Sequence, residues 1–303
     1  MSESPPTTPV CYRHPGRETY VRCTRCDRPI CPECMRDASV GHQCPECVSE
    51  GRRSVRPART AFGGGAAGRQ GYVTKALISL NVLMMLLSIA SDRGGDSAAG
   101  GSGFGGLMGG STPLTEWGAV LGRALFPDGT IQGVAEGEWY RLLTAMFLHY
   151  GVVHLLLNMW ALWVLGRSLE AALGPLRFLA LYLIAGLGGN VAAYFFSAPN
   201  AATAGASTAV FGLFAALFVI MRRLGRDTSA VVPILVVNLV FTFAVPGISI
   251  AGHLGGLVAG ALMALVLAYA PRMRRSTFQA AGGVVIMVAL LALVLVRTAD
   301  LLP

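Results

Sequence analysis

Ser207 and His253 are the residues whose type and setting best suit covalent chemistry. Ser207 lies in Gly205-Ala206-Ser207-Thr208-Ala209-Val210-Phe211-Gly212, and His253 in Ala251-Gly252-His253-Leu254-Gly255-Gly256. Both stretches are apolar and long enough to cross a bilayer. Lipid offers no water to polar groups, so an ionisable side chain at depth faces a bundle interior or a wet cavity. A serine sharing such a cavity with a histidine has the makings of a nucleophile and its base. A second pair, His154 and Asn158, is spaced i and i+4 and so shares one helix face. Both side chains can donate hydrogen bonds, and donors converging on one sheltered point suit a developing oxyanion. Taken alone, a polar pair of this kind more often bridges two helices.

The other chemistry-bearing cluster is at the N-terminus, where all seven cysteines fall between Cys11 and Cys47. They read Cys11-x2-His14, Cys23-x2-Cys26, Cys31-x2-Cys34 and Cys44-x2-Cys47. An odd cysteine count fits a disulfide framework poorly and fits metal ligation shared with histidine better. Eight ligands suffice for two tetrahedral zinc sites, and with four protein ligands each both would be closed, structural sites. So short and polar a segment cannot build a sufficient core, and metal would supply its folding energy. His42 is a ninth candidate ligand, although Cys44 and Cys47 complete the pairing without it. A redox role for the CxxC pairs is the weaker alternative.

These sites must be positioned by membrane-spanning elements. The chain has 303 residues, 53% hydrophobic and only 13% charged, against about a quarter charged in soluble domains. It reads as an all-α polytopic membrane protein. Seven apolar segments, near 72–90, 152–168, 173–196, 205–222, 229–246, 251–270 and 279–297, approach the ~20 residues that span hydrocarbon, the second and fifth being short. Glycines such as Gly186, Gly188, Gly189, Gly255, Gly256 and Gly260 allow close helix packing. The first fifty residues contain no apolar stretch of signal-peptide type.

The net charge of +8 is distributed by topology rather than in a nucleic-acid-binding face. Arg52, Arg53, Arg56, Arg59 and Arg69 precede the first segment, and Arg167 and Arg177 flank the link between the second and third. Arg222, Arg223 and Arg226 follow the fourth, and Arg272, Arg274 and Arg275 follow the sixth. The positive-inside rule then places the N-terminus in the cytoplasm and, after seven spans, the C-terminus outside. A reducing compartment for the cysteines agrees with that orientation. Residues 1–10 read as disordered. Residues 51–71 read as a flexible basic tether suited to anionic lipid. The external loop near 91–151 is Gly/Ser-rich from Gly94 to Gly110 and reads as mobile there. Farther on it carries Trp117, Leu121, Leu125, Phe126 and Trp139, with a turn signal at Pro127-Asp128-Gly129. Those apolar residues suggest an element lying in the membrane interface.

Trp139-Tyr140-Arg141, His149, His154-Leu155-Leu156-Leu157-Asn158, Glu170, Gly205-Ala206-Ser207 and Gly252-His253-Leu254-Gly255-Gly256 together resemble the rhomboid family of intramembrane serine proteases, over about residues 72–270. The resemblance implies a six-helix bundle, to which segment 279–297 would add a seventh helix. It implies Ser207 as nucleophile and His253 as general base, a dyad without an acidic third member. The oxyanion donors would be the Ser207 N–H, His154 and Asn158. Gly205 would permit close backbone approach, and Phe211, one turn beyond Ser207, would stack on His253 where relatives often carry tyrosine. His149, Arg141 and Glu170 would be structural supports. The implied partners are transmembrane protein substrates within the bilayer, and the implied setting is a bacterial plasma membrane.

The cysteine segment resembles a B-box-type zinc finger. That family's interleaved pairing implies Cys11, His14, Cys31 and Cys34 at one Zn²⁺, and Cys23, Cys26, Cys44 and Cys47 at the other, with a cytoplasmic partner for the module. The chain then divides into a zinc-binding domain (1–50), the basic linker (51–71), the six-helix core (72–270) and a seventh helix with tail (271–303). A non-proteolytic rhomboid-like factor that binds or quality-controls membrane clients is the alternative function. A transporter would predict repeated halves with broken helices, which the sequence lacks, and a soluble hydrolase would need a nucleophile-elbow motif that is also missing.

Overall fold

The computed structural model describes residues 8–54, 58–65, 71–92 and 110–303. Most of the stretches read above as disordered (1–10) or mobile (Gly94 to Gly110) lie outside the described residues. The chain forms two units, Met1–Ala58 and Arg59–Pro303.

The first unit has little regular structure. Strands β1 (Val10–Cys11) and β2 (His14–Glu18) form one antiparallel ribbon, and β3 (Arg36–Asp37) and β4 (His42–Gln43) a second, before helix α1 (Pro45–Ser54). Its buried interior consists of six of the cysteines and Ile30. So small an apolar core makes the cysteines the organising element of the fold.

The second unit is helical: α2 (Tyr72–Ser91), α3 (Pro113–Gly118), α4 (Arg141–Thr144), α5 (Val152–Leu173), α6 (Pro175–Phe196), α7 (Ser207–Arg223), α8 (Val231–Ala244), α9 (Ile250–Tyr269) and α10 (Arg275–Leu301). Four of these, and the stretch Arg272–Leu301 that contains α10, are long and apolar enough to cross a membrane. Helices α7 and α8 are shorter, at 17 and 14 residues. Six helices and a C-terminal seventh thus make an all-α polytopic membrane protein. Helix α8 stops at Ala244 because Pro246 disfavours helical backbone before it, and Gly247 then turns the chain at φ 86°.

Helix α6 is the most deeply buried span and packs against α7 and α9 through glycines. A Cβ on Gly260 would collide with the Gly212 backbone, and one on Gly256 with the Thr208 carbonyl. The second contact fixes α9 against the first turn of α7 and so sets the spacing between His253 and Ser207.

The loop before α5 is ordered from Gly110 onward. The side chains of Thr112 and Thr115 cap α3 reciprocally. Strands β5 (Ala124–Leu125) and β6 (Ile131–Gln132) form a hairpin whose turn holds Gly129 at φ 82°. Leu121 is buried, whereas Trp117, Leu125 and Trp139 remain exposed.

Two expectations need correction. The basic linker is not uniformly flexible: residues 51–54 complete α1, and residues 59–65 fold into a turn on the helical unit. The physical reason is Phe62, an apolar side chain among glycines and alanines, which is 3% exposed. Its carbonyl accepts from Gln279 at 3.3 Å, and Arg275 donates to the Ala61 carbonyl at 2.7 Å. The second apolar segment, read as ending near 168, continues helically to Leu173.

That extension buries Glu170, whose carboxylate accepts from the backbone N–H groups of Val73 (3.0 Å) and Thr74 (2.9 Å) and from the Thr74 hydroxyl (2.8 Å). The preceding residue, Gly71, has no side chain with which to cap α2, so a neighbouring helix satisfies the orphan amides. Hydrogen bonds to a charged group are worth about 1.5–3 kcal/mol each. Glu170→Gln is therefore expected to destabilise the bundle by about 2–3 kcal/mol. A fall in the thermal midpoint of the purified protein, with helical content retained at low temperature, is the expected observation. An unchanged midpoint would contradict the capping role.

Candidate functional site

The N-termini of α5, α7 and α9 meet at one end of the bundle, opposite the end where Glu170 caps α2. There the Ser207 Oγ and His253 Nε2 are 2.8 Å apart, the distance needed for a serine hydroxyl to donate to a base. His253 occupies the first turn of α9, which Ser249 caps by accepting from Gly252 N–H. Phe211, one turn along α7 from Ser207, stacks on the His253 ring with centroids 4.1 Å apart and planes 17° from parallel. His253 Nδ1 lies 2.8 Å from the buried hydroxyl of Thr242 on α8.

Gly205 shapes the backbone that leads into Ser207. Its φ is +144°, and a Cβ there would lie 2.8 Å from the His154 ring. An L-residue would strain the backbone and displace the ring together. Two bonds pin the same segment: Gly205 N–H donates to the Ala145 carbonyl at 2.9 Å, and Ala206 N–H to His149 Nε2 at 3.4 Å.

His154 and Asn158 line the same cavity as Ser207 and His253. It is a cleft of about 750 Å³ walled also by Tyr150, Trp160, Phe241 and Thr242. His154 Nδ1 is buried without a protein partner. Asn158 donates one amide hydrogen to the His154 carbonyl at 2.9 Å, which leaves its second hydrogen for a ligand. As the first residue of α7, Ser207 has a backbone N–H with no intrahelical acceptor. Ser207, His154 and Asn158 thus line one cleft.

Arg141 and His149, the other expected residues at this end, are both buried. Arg141 is fully buried, pairs with Glu138 at 2.6 Å and donates to the carbonyls of Glu116 (2.6 Å) and Ala119 (3.2 Å). It ties α3 to α4. His149 is 2% exposed and touches His154 edge-on at 5.0 Å, so it belongs to the surroundings of Ser207 rather than to a distant loop. Thr242 was not foreseen: a threonine in an apolar run carries no local signal of its partner.

The metal-ligand candidates of the first unit form two groups, Cys11, His14, Cys31 and Cys34, and Cys23, Cys26, Cys44 and Cys47, with ligand atoms within 4.8 Å of one another in each. His14 Nδ1 lies 3.2, 3.5 and 3.8 Å from the sulfurs of Cys31, Cys34 and Cys11, and the Cys26 and Cys44 sulfurs are 3.8 Å apart. A tetrahedron with metal–sulfur bonds of ~2.3 Å has edges of about 3.8 Å, so the donors fit a bound ion. Burial and the neighbouring thiols push Cys34 up to about 11 and Cys47 up to about 12, a crowding that a cation relieves. Backbone amides of Cys44 and Cys47 donate to sulfurs at 3.2 and 3.3 Å. His42 lies outside both groups and faces Asp37 at 3.4 Å.

Residues 136–270 match the family model described as Rhomboid domain. The chain is 41% identical over 142 residues to the rhomboid protease GluP of Bacillus subtilis, covering 44% of this chain and 27% of that protein. It is 36% identical over 139 residues to the rhomboid family protein YdcA of the same organism, covering 44% of this chain and 70% of that protein. It is 34% identical over 174 residues to RHOMBOID-like protein 5 of Arabidopsis thaliana, covering 55% of this chain and 53% of that one.

Proposed function

The chain belongs to the rhomboid family, and from that premise we propose that it is an intramembrane serine endopeptidase acting on transmembrane proteins. The observation that carries the proposal is the 2.8 Å bond between Ser207 Oγ and His253 Nε2 in a cleft that His154 and Asn158 also line. His253 takes the hydroxyl proton as Ser207 attacks a substrate carbonyl. The Ser207 N–H, His154 and Asn158 hold the resulting oxyanion. Collapse breaks the C–N bond, and the proton passes from His253 to the leaving amine. Water, activated by the same histidine, then hydrolyses the acyl-enzyme. Phe211 fixes the plane of the base by stacking. Reconstituting the full chain with a labelled single-span substrate tests the reading. Substrate fragments ending at one internal bond support it, and intact substrate refutes it.

His154 and Asn158 should be separable from the dyad. Loss of one oxyanion donor costs about 10²–10³ in turnover. His154→Ala is expected to show a loss in that range, and Asn158→Ala one near its lower end because two donors remain. Both variants should still react with a fluorophosphonate at Ser207. Full activity in both would reduce the pair to helix bridging.

The distribution of arginines supports a cytoplasmic N-terminus and, for a chain of seven spans, an external C-terminus; a bacterial plasma membrane is the setting proposed. The proposed domains are the metal-binding module (1–50, with α1 running on to Ser54), the linker (51–71, of which 59–65 fold on the helical unit), the six-helix core (72–270) and the seventh helix with tail (271–303). The two tetrahedral donor sets suit structural Zn²⁺, which would hold the module's shape without entering the reaction, and the module would serve a cytoplasmic partner.

A further inference from the structure

We propose that Thr242 is a positioning residue for the base, completing a relay that runs Ser207, His253, Thr242, Asn238 carbonyl. This rests on the dyad reading above. For Nε2 to take the Ser207 proton it must be unprotonated, so the single hydrogen of neutral His253 sits on Nδ1. That N–H needs an acceptor inside an apolar bundle. Thr242 Oγ1 is 2.8 Å away, and no carboxylate among the described residues bonds the ring. The threonine's own hydrogen is committed elsewhere: Oγ1 also lies 2.8 Å from the carbonyl of Asn238, one turn back on α8. Its lone pairs are therefore left for His253. Every hydrogen in the chain has one donor and one acceptor, and only one tautomer of the base satisfies it.

The setting argues against incidental contact. Helix α8 has two buried residues, Val231 at its start and Thr242 near its end. Thr242 is 2% exposed, whereas its neighbours Phe241 and Phe243 are 43% and 59% exposed. A helix that otherwise presents valine and phenylalanine outward turns its one deeply buried polar group onto the base. The position of α8 is thereby coupled to the tautomer of His253. Displacing α8 would remove the acceptor from Nδ1.

A hydroxyl is a neutral acceptor, so its contribution is smaller than that of a triad carboxylate. Thr242→Val keeps the shape and removes the acceptor. It is expected to lower kcat about tenfold, the worth of one neutral hydrogen bond in a rate, with KM changed less than about twofold. The rate of fluorophosphonate labelling should fall by the same factor. Thr242→Ser restores the hydroxyl and should recover kcat to within about twofold of wild type. Rates are taken per folded active site, titrated with the probe in the reconstituted full chain. Wild-type kcat in Thr242→Val would overturn the relay and leave the dyad intact. Equal impairment of the Val and Ser variants would also overturn it, by assigning Thr242 to packing. A wild type no faster than Ser207→Ala would overturn the dyad reading and the relay with it.

Discussion

Ser207→Ala and His253→Ala should each lower the rate of substrate cleavage by about 10⁶, to the level of the background. The effect is expected to be large because the proposed mechanism makes Ser207 and His253 nucleophile and base of one step, and a 2.8 Å hydrogen bond joins them. Without Ser207 no acyl-enzyme forms. Without His253 the hydroxyl keeps its proton, and the leaving amine has no donor. Neither variant should unfold the bundle. The bond between Ser207 and His253 is a single contact between α7 and α9, and α9 is also held by its Ser249 cap and by the contact of Gly256 with Thr208. The double variant should be no slower than either single one, the non-additivity expected of a shared step. The measurement is gel quantification of fragments from a single-span substrate in liposomes, with thermal melting as the control for folding. Cleavage by Ser207→Ala at the wild-type rate would exclude the dyad. An inert wild type that still binds the substrate would favour the non-proteolytic, client-binding alternative.

Much of this arrangement was legible because membrane insertion makes polar residues conspicuous. Ser207, His154 and His253 stand out in apolar runs, and the helices that carry them follow from hydropathy with small errors at their ends. Those errors have physical causes. Helix α5 outlasts its apolar run because Glu170 is satisfied by the amides of α2, an interaction between residues about a hundred positions apart. The turn at 59–65 was hidden because one buried phenylalanine, Phe62, outweighs a glycine-rich context. His149 read as a loop residue, and only folding brings its Nε2 to the Ala206 amide. Thr242 was invisible for the same reason. Its role lies in which helix it faces, and an apolar α8 has no periodic signal to say so. The i and i+4 spacing of His154 and Asn158 was plain, but not that Asn158 returns one amide hydrogen to the His154 carbonyl. The cysteine pairs were the most local signal of all, since a CxxC or CxxH knuckle contributes two donors from adjacent chain.

Removing the metal should unfold the N-terminal unit outright. Its buried interior is six cysteines and Ile30, and its strands are two to five residues long. So small an apolar core falls far short of offsetting the conformational entropy of some forty ordered residues, at about 1–2 kcal/mol each for the backbone alone. Structural zinc in comparable modules contributes about 10–16 kcal/mol at neutral pH, larger than any single side-chain effect considered above. Protein prepared under reducing conditions is expected to carry about two zinc ions per chain, one per four-ligand group. Chelation should abolish protease resistance over residues 8–54. Cys31→Ser and Cys44→Ser, one from each donor set, should each reduce the stoichiometry by about one ion. His42→Ala should leave it unchanged, because His42 faces Asp37 rather than either group. Cleavage of a single-span substrate should survive chelation, because no residue of the Ser207–His253 cleft is a metal ligand. A metal content near zero, or a chelated module that keeps its protease resistance, would overturn the assignment. Loss of cleavage on chelation would show instead that the module is required for the proteolytic core to work.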